Sequence, residues 1–337
     1  MRLSYALAAA TGAGVAVVLI ATGPLTAAAR DARSVTTTSA AAKRFAPYVD
    51  LGEGRPGLLR KAIAGTPLRT FSAGFVLGRG CRPVWDDGKS SPVSTDKVVD
   101  RVITSAEHKG VAVVVSFGGA AGTELAQSCH DVHRLTAAYR SVVRRFSLTR
   151  VDFDIEGDEL TDHASVVRRF HAIHALEHAD PKLGVSLTLP SGVHGMRPVD
   201  DPHVLAIVRQ AKAEHVRVAL VNLMAMDYYD GIHHDMATAA ITAAKAGLRQ
   251  LRGVWPGSTY RRIGITPMIG VNDDTSEVFT LADAKALDRF AATHHLGRVG
   301  FWSIGRDRTC TGSAPQPRST CSGVAQHPLA FTRALLG

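Results

Sequence analysis

The sequence has little with which to grip a polyanion. Its 39 Lys and Arg against 30 Asp and Glu give a formal net charge of +9, yet no dense basic tract carries that charge. The pairs Arg144-Arg145, Arg168-Arg169 and Arg261-Arg262 are scattered, and aromatic residues, only 6% of the chain, are not interleaved with them as base-stacking platforms. Nucleic acid is therefore not expected as a partner, and the excess charge is read as a device for solubility. The chain also lacks any internal repeat with a period of roughly 20–50 residues, and any Pro- or Gly-rich linker leading to a second module. Charged residues make up 20% of the sequence and hydrophobic ones 45%, which excludes a disordered chain and leaves a globular one with a sizeable core.

Cysteines number four, and what they do depends on the compartment. Residues 1–29 carry an early charge at Arg2, an uncharged run from Ala6 to Thr22, a breaker at Pro24 and small residues at Ala27, Ala28 and Ala29. The expectation is a secretory signal cleaved near Ala29, hence an extracellular protein free of the membrane. An uncleaved anchor is the alternative, since the run approaches bilayer-spanning length. The Ser/Thr/Ala-rich stretch 30–43 reads as a linker. Export permits disulfides, and four cysteines allow three pairings. Cys310 and Cys321 flank a Gly/Ser/Pro-rich loop, while Cys81 and Cys129 each lie just beyond a predicted strand, so those two pairs are the economical choice; buried free thiols are the alternative.

What the chain does have is a run of apolar, β-branched segments separated by amphipathic ones, the pattern of a parallel sheet built from βα units. Eight strands are expected: Phe45–Val49, Phe71–Leu77, Val111–Ser116, Val151–Ile155, Val185–Leu189, Val216–Met226, Ile263–Met268 and Val299–Ser303. Helices are expected over Thr95–His108, His133–Phe146, Ala164–Glu177, Asp201–Glu214, Met236–Leu251 and Leu281–His295. Ser94-Thr95 should cap the first, and Thr280 with Asp283 should form a capping box on the last. Eight such units close a (β/α)8 TIM barrel, an α/β fold, occupying residues 44–337 as one domain. The active face of such a barrel lies at the C-terminal ends of its strands.

On the fourth strand, Val151-Asp152-Phe153-Asp154-Ile155-Glu156 alternates apolar and acidic residues. Period two places Asp152, Asp154 and Glu156 on one side, which must be the barrel interior if Val151, Phe153 and Ile155 pack against helices. Burying three carboxylates costs several kcal/mol unless some are protonated, paired or hydrogen-bonded. Side chains roughly 6 to 7 Å apart along a strand can share a proton, and crowding raises the pKa of one of them. A Glu at the open end is then suited to general acid catalysis. Two other readings of the row are a solvent-facing edge strand and a site for a hard divalent cation. His171, His174 and His178 share a helix face and are read as solvated.

The row resembles the signature of family 18 glycoside hydrolases, the chitinases, which usually reads Asp-Gly-x-Asp-x-Asp-x-Glu; Thr149-Arg150 stand where that pattern has Asp-Gly. Ser116-Phe117-Gly118-Gly119 is similar to the family's Ser-x-Gly-Gly. Asn222 to Tyr228 resembles its Met-x-Tyr-Asp region, and Trp302 its sugar-floor tryptophan. Phe45-Ala46-Pro47-Tyr48-Val49 and Thr266 to Asp273 resemble the single-domain bacterial chitinase D type. The resemblance implies hydrolysis of β-1,4 links in chitin or N-acetylglucosamine oligosaccharides by a retaining, substrate-assisted reaction of a monomer, with no cofactor or metal. Glu156 would be the acid, Asp154 the residue orienting the acetamido group, and Asp152 the holder of a spare proton. Asp227 and Trp302 would bind the sugar. Met226 stands where many relatives have Tyr, and Tyr228, on the same expected strand face, would reach that pocket instead. Ser116, Gly118 and Gly119 are read as packing residues. An endo-β-N-acetylglucosaminidase acting on N-glycans or peptidoglycan, and a non-catalytic glycan-binding lectin, are the alternative functions.

Overall fold

The computed structural model describes residues 44–52, 57–196, 203–311 and 318–337. The expected signal, 1–29, the linker, 30–43, and the first two residues of the helix expected from Asp201 lie outside the described residues. All described residues belong to one compact unit, Thr37–Gly337. Parallel strands β1 (Tyr48–Asp50), β2 (Thr70–Arg79), β4 (Ala112–Gly118), β5 (Arg150–Asp154), β6 (Gly184–Pro190), β7 (Val218–Met224), β8 (Ile263–Thr266) and β11 (Arg298–Val299) pair in that order. A parallel bridge between Phe45 and Val299 brings the last strand beside the chain leading into the first, with the Ala46 N–H bonded to the Val299 carbonyl at 2.9 Å. The sheet is thereby curled into the expected TIM barrel.

The helical layer is α1 (Gly57–Gly65), α2 (Lys97–Glu107), α3 (Leu125–Ser128), α4 (Val132–Arg145), α5 (His163–Ala179), α6 (Val204–Ala213), α7 (Met236–Val254), α8 (Leu281–His294) and α9 (Ala330–Leu336). Helices α1, α3 and α9 were not expected; they are short or border segments without a clear period. The Thr280–Asp283 capping box is present on α8. On α2 the expected cap at Ser94-Thr95 is corrected: Asp96 is the N-cap, its carboxylate accepting from the N–H groups of Val98 and Val99, a stronger acceptor for the helix's free donors than a hydroxyl. Two antiparallel additions, β3 (Arg82–Trp85) on β2 and the pair β9 (Gly270–Val271) with β10 (Val278–Phe279), project from the barrel strands. Among the described residues no helix is long and apolar enough to cross a membrane.

The alternation on β5 sorts its side chains between two environments. Phe153 faces outward, its ring stacked on Phe117 at 5.2 Å and edge-on to Tyr139 of α4 at 5.1 Å, while Val151 and Ile155 are fully buried in the same helix-facing core. Register then assembles the interior: Ser116, Asp152 and Ser186 lie side by side across β4, β5 and β6, and Gly118, Asp154 and Thr188 form the next layer.

Both expected cysteine pairs are disulfides, Cys81–Cys129 with a sequence separation of 48 and Cys310–Cys321 with a separation of 11. The first ties the β2–β3 turn to the end of α3. In the chain-entropy description loops of these sizes contribute about 4 and about 3 kcal/mol. Replacing both members of each pair by Ser should therefore destabilise the protein by those amounts, more for the first pair, as read from unfolding free energies obtained with each variant's own m-value.

Candidate active site

Asp152 sits at the floor, fully buried. Its Oδ2 accepts from Tyr48 Oη at 2.8 Å, Ser116 Oγ at 2.8 Å and Thr188 Oγ1 at 2.9 Å, while its Oδ1 accepts from Ser186 Oγ and from the Arg298 guanidinium at 3.4 Å. The carboxylate is thus enclosed by donors from β4, β6, β11 and β1. A hard cation is excluded from this end of the row, because the lone pairs it would use point at hydrogens. Ser116 is therefore more than the packing residue expected from the Ser-x-Gly-Gly run. The glycines of that run do serve packing: a Cβ on Gly118 would lie 2.0 Å from the Asp154 carbonyl oxygen and one on Gly119 2.8 Å from the Phe75 ring, and both have positive φ, 97° and 94°.

Asp154, one layer up, is also buried, and its Oδ1 has no hydrogen-bond partner among the described residues. Burial holds its carboxyl well above the usual range, and the neighbouring charges of Glu156, Asp152 and Glu159 push in the same direction. Glu156 follows the strand in extended conformation and opens on a cleft of about 770 Å³. Burial first, then the charge of Asp227, raises its pKa to about 7. The crowding partner of the acid is thus Asp227 across the cleft as well as the neighbour on its own strand. Asp227 is itself pushed up to about 6 by burial and by Asp273, against the pull of backbone N–H groups and of Arg306.

The turn that follows the acid is anchored by a buried ion cluster. Arg169 of α5 bonds Glu159 at 2.8 Å and Glu124 at 3.0 Å, and Tyr139 Oη donates to Glu124 at 3.0 Å. Glu159 is pushed up to about 9 by burial and by the carboxylates around it, against the Arg169 charge. Two carboxyls facing one guanidinium are most economically held with one of them neutral.

Met226, Asp227 and Trp302 line the cleft, together with Phe75 and Tyr229. Trp302 and Phe75 stack at 5.7 Å with 25° between their planes, and Tyr48 stands 6.2 Å from Trp302, so the floor is a continuous aromatic surface against which a pyranose ring can lie. Tyr228 requires a correction. It is buried, edge-on to His234 at 5.2 Å, with its hydroxyl unpartnered among the described residues, and it does not line the cleft. The expectation extended the strand's alternation to residue 228, but β7 ends at Met224 and the backbone enters left-handed φ at Asp227 (51°) and Tyr229 (49°). Each such residue costs about 1–2 kcal/mol and breaks the period of two. Tyr229, 53% exposed, takes the place at the cleft.

Arg298 was missed although its signal exists: period two from Trp302 puts residues 298, 300 and 302 on one face. Phe75 was placed only within a strand. His233 and His234 hydrogen-bond Ser276 and Asp230 and do not line the cleft. His171 pairs with Glu214 at 2.7 Å on the surface.

No known family profile matches the chain. The catalytic domain of a hyperthermophilic chitinase from Pyrococcus furiosus superposes on 87% of the chain, with 93% of that domain covered, 30% identity and a TM-score of 0.75. The chain belongs to the family 18 chitinases. Over 287 residues it is 33% identical to a probable bifunctional chitinase/lysozyme of Escherichia coli (strain K12), and over 284 residues 32% identical to Endochitinase 11 of Metarhizium anisopliae. Those matches span 31% and 52% of the respective relatives' lengths.

The raised pKa of Glu156 has a thermodynamic consequence for this family 18 barrel. A carboxyl whose folded pKa, about 7, exceeds its ordinary value of 4.5 binds more protons folded than unfolded, so it costs stability as pH rises through that window. Glu156→Gln should leave Tm unchanged near pH 4 and raise it by roughly 2–5 °C at pH 8, measured by calorimetry at the two pH values.

Proposed function

We propose that the protein is a secreted hydrolase of β-1,4 links between N-acetylglucosamine units, acting by a retaining, substrate-assisted reaction. The observation that carries this reading is the graded carboxylate row: a donor-enclosed Asp152 at the floor, a buried Asp154 with a free oxygen and a raised pKa, and Glu156 titrating at about 7 where the row meets the cleft. The disulfides are compatible with export.

Glu156 gives its proton to the glycosidic oxygen as the bond from that oxygen to the anomeric carbon breaks. Burial disfavours the ionised form of Asp154 and makes it a poor nucleophile, so the attacking oxygen is supplied by the substrate's 2-acetamido carbonyl, which bonds to the anomeric carbon and forms an oxazolinium ion. Asp154 accepts from the acetamido N–H and, as its own proton passes to Asp152, offsets the positive charge; the proton returns when the product leaves. Water then attacks the anomeric carbon as the bond from that carbon to the acetamido oxygen breaks, and gives its proton to Glu156, which restores the acid and releases the sugar with its configuration retained. Trp302 and Phe75 support the ring, Met226 borders the acetamido pocket, and Asp227 sustains the raised pKa of Glu156.

The test is hydrolysis of N-acetylglucosamine oligomers by wild type and Glu156→Gln. The variant should lose roughly 10²–10⁴-fold in kcat, and equal activity of the two proteins would defeat the role given to Glu156. Faster cleavage of an N-glycoprotein than of the oligomers would point to an endo-β-N-acetylglucosaminidase. The pH profile gives a further check. Removing the negative charge of Asp227 lowers the pKa of Glu156, so in Asp227→Asn the alkaline limb of kcat/KM should move from near 7 to lower pH. An unmoved limb would separate the two carboxylates.

A further inference from the structure

The loops after β7 and β8 exchange carboxylates. Asp227, on the first, accepts from the N–H of Asp274 at 2.8 Å; Glu277, on the second, accepts through Oε1 from the N–H of Tyr228, also at 2.8 Å. The second loop is closed on itself, with the Glu277 N–H bonded to the Asp274 carbonyl at 2.9 Å and the Asn272 N–H to the Glu277 carbonyl at 3.0 Å. It is carried by the β9–β10 pair, whose register joins Val278 to Val271. The Tyr228 N–H held by Glu277 lies between the two left-handed residues, Asp227 and Tyr229. Conformations of that kind persist only where the surroundings fix them.

Glu277 does not line the cleft. It is 1% exposed, and its Oε2 is buried without a hydrogen-bond partner among the described residues. Burial, with the charges of Asp227 and Asp274, pushes its carboxyl up to about 7. A buried acid that leaves one oxygen unmatched is costly to keep, and the β9–β10 pairing itself has no need of one.

We propose that Glu277 is a positioning residue, which by fixing the Tyr228 N–H holds the left-handed turn that presents Asp227 to Glu156 across the cleft. The catalytic part of this statement rests on the reading of Glu156 as the acid. What matters is the reach of the side chain and its acceptor oxygen; its charge does not.

Two variants separate these properties. Glu277→Gln keeps reach and acceptor and removes the charge, whereas Glu277→Asp keeps the charge and shortens the reach by one methylene. Hydrogen exchange of peptides covering 227–230 and 272–276 is measured alongside kcat on N-acetylglucosamine oligomers. Glu277→Gln should keep slow exchange and a kcat within threefold of wild type. Glu277→Asp should exchange at least tenfold faster in both peptides and lose at least tenfold in kcat. Equal impairment of the two variants, or slow exchange at 227–230 in Glu277→Asp, would overturn the proposal. If the exchange pattern holds while wild type cleaves no such oligomer, the clamp is supported and the reading of Glu156 is the part that fails.

Discussion

The burial of the Asp152 carboxyl is the constraint on which the rest of the barrel interior depends. An uncompensated buried carboxylate costs several kcal/mol, and here compensation comes from every side: Tyr48 on β1, Ser116 on β4, Ser186 and Thr188 on β6, and Arg298 on β11. These partners lie as far as 146 residues away in sequence. Donors from non-adjacent strands converge on one carboxylate only when the sheet is curled, so barrel closure at Phe45 and Val299 and satisfaction of Asp152 are the same event.

From that floor the interior becomes progressively less able to hold charge. Asp152 has donors on both oxygens. Asp154 has one oxygen with none and three carboxyls nearby, so its neutral form is favoured. Glu156 meets the cleft and titrates at about 7. A carboxyl row enclosed by donors at its base, disfavouring charge in its middle and raised to about 7 at its mouth supplies an acid near neutral pH and withholds a protein nucleophile. The proposed chemistry follows from both properties, because a substrate carrying its own nucleophile then has the advantage. The Arg169 cluster holds the turn below the acid, and the Asp227–Glu277 exchange holds the opposite wall.

Much of this was legible in the sequence because it is local. Alternation on residues 151–156 fixes which side chains face inward, whatever the rest of the chain does, and the eight βα units follow from patterning alone. The Thr280–Asp283 box is a contact across three residues and was found for the same reason. Arg298 was legible in principle by the period that also places Trp302, but a lone charge leading into an apolar run carries no pattern of its own. Tyr228 was misplaced because alternation was carried past the end of a strand into left-handed backbone, where it has no force. Glu277 carried no signal: its partner is 49 residues away, and only the folded loops bring its oxygen to the Tyr228 N–H.

The proposed chemistry turns on whether the substrate's acetamido oxygen is the nucleophile. The direct measurement is kcat/KM for aryl glycosides of N-acetylglucosamine oligomers in which the reacting sugar bears acetyl, monofluoroacetyl, difluoroacetyl or trifluoroacetyl on nitrogen. Each fluorine weakens the carbonyl oxygen while barely changing the size of the group. Substrate assistance predicts a steep, monotonic fall across the series, tenfold or more from first to last. Rates that stay level across all four substrates would contradict it.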